Sequence, residues 1–453
     1  MKTIAILWNS MENNFLEALK DIEQFSIVHD CFKINFNDIF SSFISDIYPY
    51  KGDQKWKLDY KIGIMNNQYT KNEVMILFLE IPDSKRVYIE RKKTYIYENV
   101  EKIKNFIRCK YKEKVVNYSF DNIFHMTDDE SEYLKTLQII KKYLIISFVN
   151  NQQGFIELNN YLHISKNFIE KNELNGKRDK FWFADGMFMY KKAKEKTYEL
   201  YSELFTDEMA GIFGLECTKN IPTIYNGCKG MITLNFIDND EFFIDGSHII
   251  DFCITGNSGQ NLSLSMDKIC KFNNLEMLSY LIENYCLKNN LIYTDEILEQ
   301  LQKMFVFDTI LLQTDRNPNN WGILINKKKH TVRVAPLYDN TNMMGMNKDI
   351  DYISRLSLED VYHFPTVLVP SSNDSFFEHR LNLVKRIKDN SIISIFDNYL
   401  DKVRNIDIDK VFYDIEMKNN IIIPYDFKYI IKTFLIGNIN NLDCIIKAKK
   451  KIK

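Results

Sequence analysis

The sequence has no excess of basic residues, few cysteines and no long apolar run. Its 59 Lys and Arg residues are balanced by 61 Asp and Glu residues, for a net charge of −2. A general nucleic-acid binder carries a basic surplus, so this balance argues against nucleic acid as a partner. Apolar runs such as 74–79 fall far below the roughly 18 residues that a membrane span needs, so we expect no membrane segment.

The cysteines and histidines lack the spacings of common metal and redox motifs. None of the 8 cysteines forms a C-x-x-C pair, and none of the 7 histidines forms an H-x-x-x-H or H-E-x-x-H pair. A zinc ribbon or a dithiol redox site is therefore not predicted. The low cysteine content, and an N-terminus whose short apolar stretch soon turns polar, fit a reduced protein without a signal peptide. We expect a cytoplasmic globular protein.

The first 150 residues alternate between predicted strands and helices. Apolar runs predict strands at 3–8, 74–81 and 120–124, and the intervening patterns predict helices at 13–25 and 130–143. Thr127 or Asp128 is the predicted cap of the second helix. Polar residues such as Asn9 follow the strands, and we interpret them as turn and cap residues. The pattern favours a small α/β domain over residues 1–150, of unknown role, with a partly parallel sheet.

A polar cluster at 150–154 precedes a segment with a different pattern. Residues 155–250 have the pattern of strands and turns with one helix, and residues 274–453 are mostly helical. The fold class predicted for this segment is α+β. We expect an N-lobe at about 151–250, a C-lobe at about 251–453, and a cleft between them.

The motif with the clearest chemistry is Asp-Arg-Asn-Pro-Asn-Asn at 315–320, after a long helical pattern. Two apolar runs joined by a Lys-rich turn follow it and predict a hairpin. The hairpin ends at Leu-Tyr-Asp, of which Asp339 is the last residue. Because a hairpin returns the chain to its starting point, Asp339 is expected close to Asn320. The carboxylates of Asp315 and Asp339 and the amide of Asn320 would then converge.

Such a convergence is typical of phosphoryl transfer, in which catalysis is mainly positioning and charge neutralisation. Magnesium prefers hard oxygen ligands. In a kinase, a loop Asp accepts the proton of the substrate hydroxyl, and an Asn five residues later helps to hold the metal. The spacing of Asp315 and Asn320 matches this D-x-x-x-x-N pattern. Alone the pattern is weak in an Asn-rich chain and describes a polar turn, but the hairpin and Asp339 favour the kinase interpretation.

A kinase also needs a strand lysine for the nucleotide phosphates, paired with a helix glutamate. The apolar run 187–191 ends in a lysine, and Lys192 follows it. Neighbouring strand residues point to opposite faces, so only one lysine can enter the cleft, and we choose Lys191. Glu203, near the start of the next predicted helix, is its natural partner, with Glu208 as the competing choice. Two surface lysines on an edge strand are the alternative interpretation.

A basic segment precedes this strand and includes Gly176, Lys177, Arg178 and Lys180. Its backbone amides and charges could cover nucleotide phosphates, which makes these four residues candidate cofactor-binding residues. A single glycine is weak evidence, and a solvated turn explains the same residues.

Taken in order, the motifs of residues 155–453 resemble those of the HipA-type Ser/Thr kinases, distant relatives of protein kinases and of phosphatidylinositol 3- and 4-kinases. The motifs that carry the resemblance are 176–182, Tyr190-Lys191, Ser202-Glu203 ahead of Gly214, 230–236, 315–320 and Ala335-Pro-Leu-Tyr-Asp339. The family usually has His after Asp-Arg, where this sequence has Asn317. The resemblance does not extend to residues 1–150.

The resemblance implies a bilobal protein-kinase-like fold with ATP bound between the lobes. It implies that Asp315 is the catalytic base, that Asn320 and Asp339 hold Mg²⁺, and that Lys191 holds the nucleotide phosphates. It also implies a protein substrate with a Ser or Thr hydroxyl as acceptor. Because several kinases of this type are toxins of toxin–antitoxin pairs, it further suggests an antitoxin or regulatory partner.

Two other functions remain open at this stage. A lipid or small-molecule kinase of the same fold would keep the site and change the acceptor, but no basic patch or exposed apolar segment marks a membrane-facing site. A pseudokinase acting as a binding module would lack some of the charged residues, yet all of those expected are present. We therefore place an ATP- and Mg²⁺-dependent protein Ser/Thr kinase first.

Overall fold

The chain forms two compact units, and each unit is built from two separate stretches of sequence. The first unit comprises Met1–Lys192 with Thr223–Ile232, and the second comprises Ala193–Pro222 with Thr233–Lys453. This computed structural model describes residues 1–50, 54–69, 71–82, 85–90, 94–116, 118, 120–149, 154–160, 162–164, 179–256, 264–374 and 378–451. The expected boundary near residue 150 lies inside the first unit, and the predicted domain and lobe limits stay predictions.

The first unit contains two five-stranded sheets, with helices at the first of them. Its strands and helices are β1 (Lys2–Leu7), α1 (Phe15–Ile22), β2 (Ile27–Asn35), α2 (Phe40–Ile47), α3 (Lys55–Gln68), β3 (Glu73–Glu80), β4 (Arg86–Ile89), β5 (Thr94–Tyr97), α4 (Glu98–Tyr111), α5 (Phe120–Ile123), β6 (Phe124–Met126), α6 (Glu130–Val149), β7 (Ile156–Glu157), β8 (Leu162–Ile164), β9 (Lys180–Phe183) and β10 (Phe188–Lys192), followed by β11 (Asn220–Tyr225) and β12 (Cys228–Leu234), which run past the limits of the unit.

The first sheet has the strand order β6-β1-β3-β2-β8, and β3 is central as its apolar sequence predicts. The pairs β1–β3, β1–β6, β2–β3 and β2–β8 are antiparallel, so the prediction of a partly parallel sheet is wrong. The sequence pattern passes over β2 because this strand mixes charged residues with apolar ones. Because β2 pairs with both β3 and β8, a sequence analysis that misses β2 cannot assign the directions of those strands.

Two local predictions in this unit are also wrong. Residues 120–123 form the short helix α5, and the predicted strand is reduced to β6. At the start of α6 the side chain of Asp129, rather than Thr127 or Asp128, accepts a hydrogen bond from the backbone N–H of Glu132 at 2.9 Å. Asn9 has a structural role, because its Nδ2 donates to the backbone oxygen of Met65 at 2.8 Å.

The first sheet packs directly against the hairpin of β9 and β10. Asp30 of β2 is 1% exposed, and its Oδ2 accepts the backbone N–H of Ala184 in the hairpin turn at 2.5 Å. Burial raises the pKa of Asp30 to about 7. The ring of Phe32 lies 5.7 Å from that of Phe183, between centroids. Residues before 150 therefore share a core with the hairpin that carries Lys191.

The second sheet has the order β7-β11-β12-β10-β9, in which β7 runs parallel to β11 and β9 antiparallel to β10. Gly230 in β12 lies against the backbone of Lys191 and the ring of Tyr190, where a Cβ atom would collide with both. The strand at 230–236 thus needs glycine for close pairing with β10.

The second unit is largely helical. Its elements are α7 (Glu199–Phe213), β13 (Glu241–Asp245), α8 (Gly246–Thr255), α9 (Met266–Cys270), α10 (Leu275–Lys288), α11 (Asp295–Ile310), β14 (Gly322–Asn326), β15 (Val332–Val334), α12 (Ile350–Ile353), α13 (Leu358–Tyr362), α14 (Arg380–Arg386), α15 (Asn390–Arg404), α16 (Ile408–Asn419) and α17 (Tyr425–Lys451). Across the described parts of both units, no helix has the length and apolarity of a transmembrane segment.

A small antiparallel sheet of the order β13-β14-β15 positions the predicted catalytic residues. The helix α11 leads into the motif 315–320, and β14 starts directly after it. The predicted hairpin is present as β14 and β15, which pair from Ile323 opposite Val334 to Ile325 opposite Val332. The chain returns along β15 toward Asp339.

Candidate active site

The loop after α11 is held in shape by its own side chains. The Oε1 atom of Gln313 accepts the backbone N–H groups of Thr314 and Asp315, at 2.9 and 3.3 Å. The Nδ2 of Asn317 donates to Oδ1 of Asp315 at 2.7 Å, and the Nδ2 of Asn320 donates to the backbone oxygen of Asp315 at 2.7 Å. The orientation of the Asp315 carboxylate is thereby fixed through Asn317.

Arg316, which is 2% exposed, joins this loop to the segment around Asp339. Its Nη1 donates both to the backbone oxygen of Asn320, at 2.9 Å, and to that of Tyr338, at 3.0 Å. Its Nε and Nη2 pair with the two carboxylate oxygens of Asp308 on α11, at 2.9 and 3.0 Å. Burial opposes the charge of Arg316, but Asp308 outweighs it and the pKa of Arg316 is raised. The hairpin brings the chain back to Asn320 as expected, and the guanidinium of Arg316 links the two segments by hydrogen bonds.

Asp339 sits between two residues that Arg316 holds. Nη2 of Arg316 donates to Oδ1 of Asn340 at 2.7 Å. Asp339 has a left-handed backbone with φ of 51°, and its Oδ1 accepts the hydroxyl of Thr341 at 3.1 Å. A left-handed conformation is uncommon outside glycine, although Asp and Asn tolerate it best. The left-handed backbone and the bond from Thr341 together define the orientation of the Asp339 side chain.

Buried Asn273 and Trp321 support the loop from the other side. The Nδ2 of Asn273 donates to the backbone oxygen of Arg316 at 2.9 Å, and its Oδ1 accepts the indole N–H of Trp321 at 2.9 Å. Gly246, the first residue of α8, lies so close to the Trp321 ring that a Cβ atom would collide with it. Sequence reasoning missed Asp308, Asn273 and the role of Arg316, because a buried polar partner has no local spacing signal.

The helix α7 carries both candidate partners of the strand lysine. Glu203 is 2% exposed, and its neighbour Ser202 donates through its hydroxyl to the backbone oxygen of Asn340 at 2.9 Å. This bond fixes the helix beside the residue that follows Asp339. Glu208 instead lies 3.5 Å from Nζ of Lys418 in an ion pair. The choice of Glu203 over Glu208 as the partner of the strand lysine stays a prediction.

The two strand lysines differ in burial. Lys191 is 8% exposed, whereas the side chain of Lys192 is 33% exposed and its Nζ lies 3.6 Å from Asp179. Lys180 lies on β9 opposite Lys191 in the strand register. The other candidate phosphate-contacting residues, Gly176, Lys177 and Arg178, lie outside the described residues.

We predict that Lys191→Ala weakens phosphate transfer strongly, while Lys192→Ala does not. The physical reason is that Lys191 is the more buried of the two lysines and is the one that we assign to the nucleotide phosphates. Lys192 is the matched control, because it is a lysine on the same strand. The measurement is phosphate transfer from ATP by the two purified variants at equal concentration. A larger loss in Lys192→Ala than in Lys191→Ala would show that the assigned face is wrong and would require Glu203 to be reconsidered.

A comparison with known protein sequences assigns the chain to the class of kinases. The chain is 23% identical over 259 residues to the serine/threonine-protein kinase CtkA of Helicobacter pylori, across 49% of this chain and 74% of CtkA. The chain is therefore homologous to a Ser/Thr kinase, which confirms the predicted resemblance and the kinase class of the enzyme. The structure also has the mixture of helices and strands that was predicted. No protein-family profile matches the chain, consistent with the unrecognised N-terminal segment.

Solved structures similar to this chain include the following two. The crystal structure of the H. pylori proinflammatory kinase CtkA aligns at 18% identity over 62% of this chain and 96% of that chain, with a TM-score of 0.47. HipA of Shewanella oneidensis, in a complex with HipB and operator DNA, aligns at 8% identity over 81% of this chain and 94% of that chain, with a TM-score of 0.33.

Proposed function

We propose that this protein is an ATP- and Mg²⁺-dependent protein kinase that phosphorylates Ser or Thr hydroxyls. The observation that carries the proposal is the Arg316 guanidinium, whose Nη1 holds the backbone oxygens of Asn320 and Tyr338 together. These two hydrogen bonds hold the D-x-x-x-x-N loop close to the chain that follows the hairpin. A kinase needs this proximity, because its metal ligands come from both segments. Homology to CtkA supports the acceptor class.

The residues of the site fit a magnesium ion chemically. Asp339 offers a carboxylate, and Asn320 uses its Nδ2 for the oxygen of Asp315, which leaves its amide oxygen as the atom for a cation. Hard oxygen ligands from one or two side chains, completed by water and phosphate, are what Mg²⁺ prefers. When bound, the ion would neutralise charge on the nucleotide phosphates. Lys191 would hold the phosphates and Glu203 would hold Lys191.

Asp315 is the residue we assign to the acceptor hydroxyl. Asn317 fixes its Oδ1, so the carboxylate has one defined orientation in which to receive the hydroxyl proton. Asn317 occupies the place where the HipA-type family usually has His, and it serves here as a positioning residue. A lipid or small-molecule acceptor would use the same carboxylate, but no observation of this structure favours it.

We expect Asp315→Asn to lower phosphate transfer by about 100-fold, since a positioned base typically contributes 10²–10⁴-fold. Nucleotide affinity should stay within about tenfold, or ~1.4 kcal/mol, because Lys191 and the metal ligands are untouched. Calorimetric binding of ATP with Mg²⁺ and a radioactive transfer assay, made on the same preparation, measure both quantities. Phosphosites identified by mass spectrometry with the wild type but not with Asp315→Ala identify the acceptor.

The matched control is Asp401→Asn, which changes an exposed carboxylate on α15 of the same unit. It should leave transfer and binding unchanged. Joint loss of binding and transfer in Asp315→Asn would make Asp315 a metal or structural residue. Unchanged transfer would overturn the kinase interpretation of this loop, and transfer only to lipid or to a small molecule would replace the protein acceptor.

A further inference from the structure

A second group of metal-ligating side chains lies on α13 and at the start of α14, in the second unit. The Nε2 atoms of His363 and His379 lie 3.7 and 3.0 Å from the same oxygen, Oε1 of Glu359. Their rings are 4.9 Å apart between centroids and nearly perpendicular, at 84°. The ligand atoms of all three residues fall within 4.8 Å of one another. We call these three residues the Glu359 cluster.

The two distances from the Glu359 carboxylate to the imidazoles are close to what a small cation requires. Two atoms about 2.0–2.1 Å from a tetrahedral zinc ion lie about 3.3 Å apart, and the measured 3.0 and 3.7 Å lie on either side of that value. Glu359 and His363 stand four residues apart across the end of α13, so they share one face. His379 reaches the same point from another part of the chain.

Buried neighbours hold the backbone at both histidines. Tyr362, next to His363, is 2% exposed, and its hydroxyl accepts Nδ2 of Asn441 at 3.0 Å. Arg380, next to His379, is 1% exposed and donates to the backbone oxygens of Asp308 and Gln313 at 3.0 and 2.8 Å. The histidines therefore meet because the fold fixes the residue beside each one. Ligands held in this way need little reorganisation on binding a metal.

We propose that the Glu359 cluster binds a divalent transition-metal ion of the zinc type. Two imidazoles and one carboxylate are ligands that suit Zn²⁺, Co²⁺ and Ni²⁺, whereas Mg²⁺ and Ca²⁺ prefer oxygen ligands. Three protein ligands leave the fourth position of the ion to water. This site is separate from the residues that we assign to Mg²⁺, and it does not depend on the proposed kinase activity.

Binding changes the hydrogen bonding of His379 in a defined way. Its Nδ1 accepts the backbone N–H of Leu381 at 3.3 Å, which leaves Nε2 as the protonated nitrogen facing Glu359. To ligate through Nε2, the neutral ring moves its proton from Nε2 to Nδ1 and gives up the long bond to Leu381. The metal replaces that proton as the partner of the Glu359 carboxylate.

The test is titration of the full-length reduced protein with Co²⁺, followed by competition with Zn²⁺. We expect one tight site whose visible spectrum is that of a tetrahedral ion with nitrogen and oxygen ligands, without a near-ultraviolet sulfur charge-transfer band. His363→Ala should weaken binding at least about tenfold, or ~1.4 kcal/mol. His363 is suited to this because its side chain is 60% exposed, so its removal should not unfold the protein.

The matched control is His330→Asn. His330 is an exposed turn histidine with φ of 56°, a conformation that Asn accepts, and its loss should leave metal affinity unchanged. Glu359→Gln, which keeps the shape and removes the charge, should weaken binding as His363→Ala does. Equal affinity in His363→Ala and His330→Asn would overturn the proposal. A sulfur charge-transfer band would also overturn it, because the ion would then be held by some of the 8 cysteines.

Discussion

Asp339→Asn is expected to lose nearly all phosphate transfer, by about 1,000-fold, while the protein stays folded. Loss of one preorganised charge-stabilising group costs about 10²–10³-fold in other enzymes, and a ligand of the proposed Mg²⁺ is such a group. The substitution suits the backbone, because Asn tolerates the left-handed φ of 51° at this position. The Asn side chain can still accept the hydroxyl of Thr341. Transfer from ATP, measured over a range of Mg²⁺ concentrations, gives the effect.

The control for Asp339→Asn is Asp351→Asn, an exposed carboxylate in the same unit. Circular dichroism of both variants should match that of the wild type, and only Asp339→Asn should lose transfer. A well-folded Asp339→Asn protein that turns over like the wild type would show that the metal is held elsewhere.

Arg316→Met is expected to destabilise the second unit by about 3–5 kcal/mol, the cost of breaking a buried ion pair by removing one partner. The charge of Asp308 would remain, 8% exposed, with neither of its two bonds to the guanidinium. The backbone oxygens of Asn320 and Tyr338 would lose their shared donor as well. Methionine keeps much of the side-chain volume, so the loss reports charge and hydrogen bonds rather than a cavity. Urea denaturation followed by circular dichroism measures it.

Arg333→Met provides the comparison, because Arg333 pairs with Glu241 at 3.1 Å but is 36% exposed. Such a surface pair contributes about 0–1 kcal/mol. A double variant, Arg316→Met with Asp308→Leu, should recover part of the lost stability by removing the stranded charge. If Arg316→Met is no more destabilising than Arg333→Met, Arg316 does not organise the loop.

The sequence predicted the elements around the site better than the contacts inside it. The hairpin after 315–320 was predicted because its apolar runs and Lys-rich turn are local signals, and the structure has it as β14 and β15. Arg316 is part of the motif, but its partner Asp308 lies eight residues earlier, on α11. No local sequence pattern marks Asp308 as that partner. Which polar residues become buried partners is decided by tertiary packing.

Non-local features of the fold were also out of reach of the sequence. The direction of each strand in the first sheet depends on β2, whose mixed polarity hides it. Glu359 and His379 are 20 residues apart in the sequence, and Arg380, next to His379, is held by the backbone oxygens of Asp308 and Gln313. A search for short histidine spacings therefore does not find this cluster. Lys191 is more buried than Lys192, as expected of neighbouring residues on the two faces of a strand, and its role in the site stays a prediction.

The interleaved units impose an order of events on synthesis. Strands β11 and β12, which lie between β7 and β10 in the second sheet, follow a stretch of chain that belongs to the other unit. The first unit is therefore complete in sequence once Ile232 has been synthesised. At about 5–20 residues per second, the roughly 170 residues from there to Tyr399 take about 8–35 s.

During that time the aromatic residues that pack against α7 have not yet been synthesised. Phe205 and Phe213 pack against Phe412 and Tyr399, with centroids 5.5 and 4.5 Å apart, and those partner rings lie roughly 200 residues further along the chain. Until then the nascent chain exposes the apolar side chains of this helix. Exposed apolar surface of this kind makes a growing chain prone to aggregation.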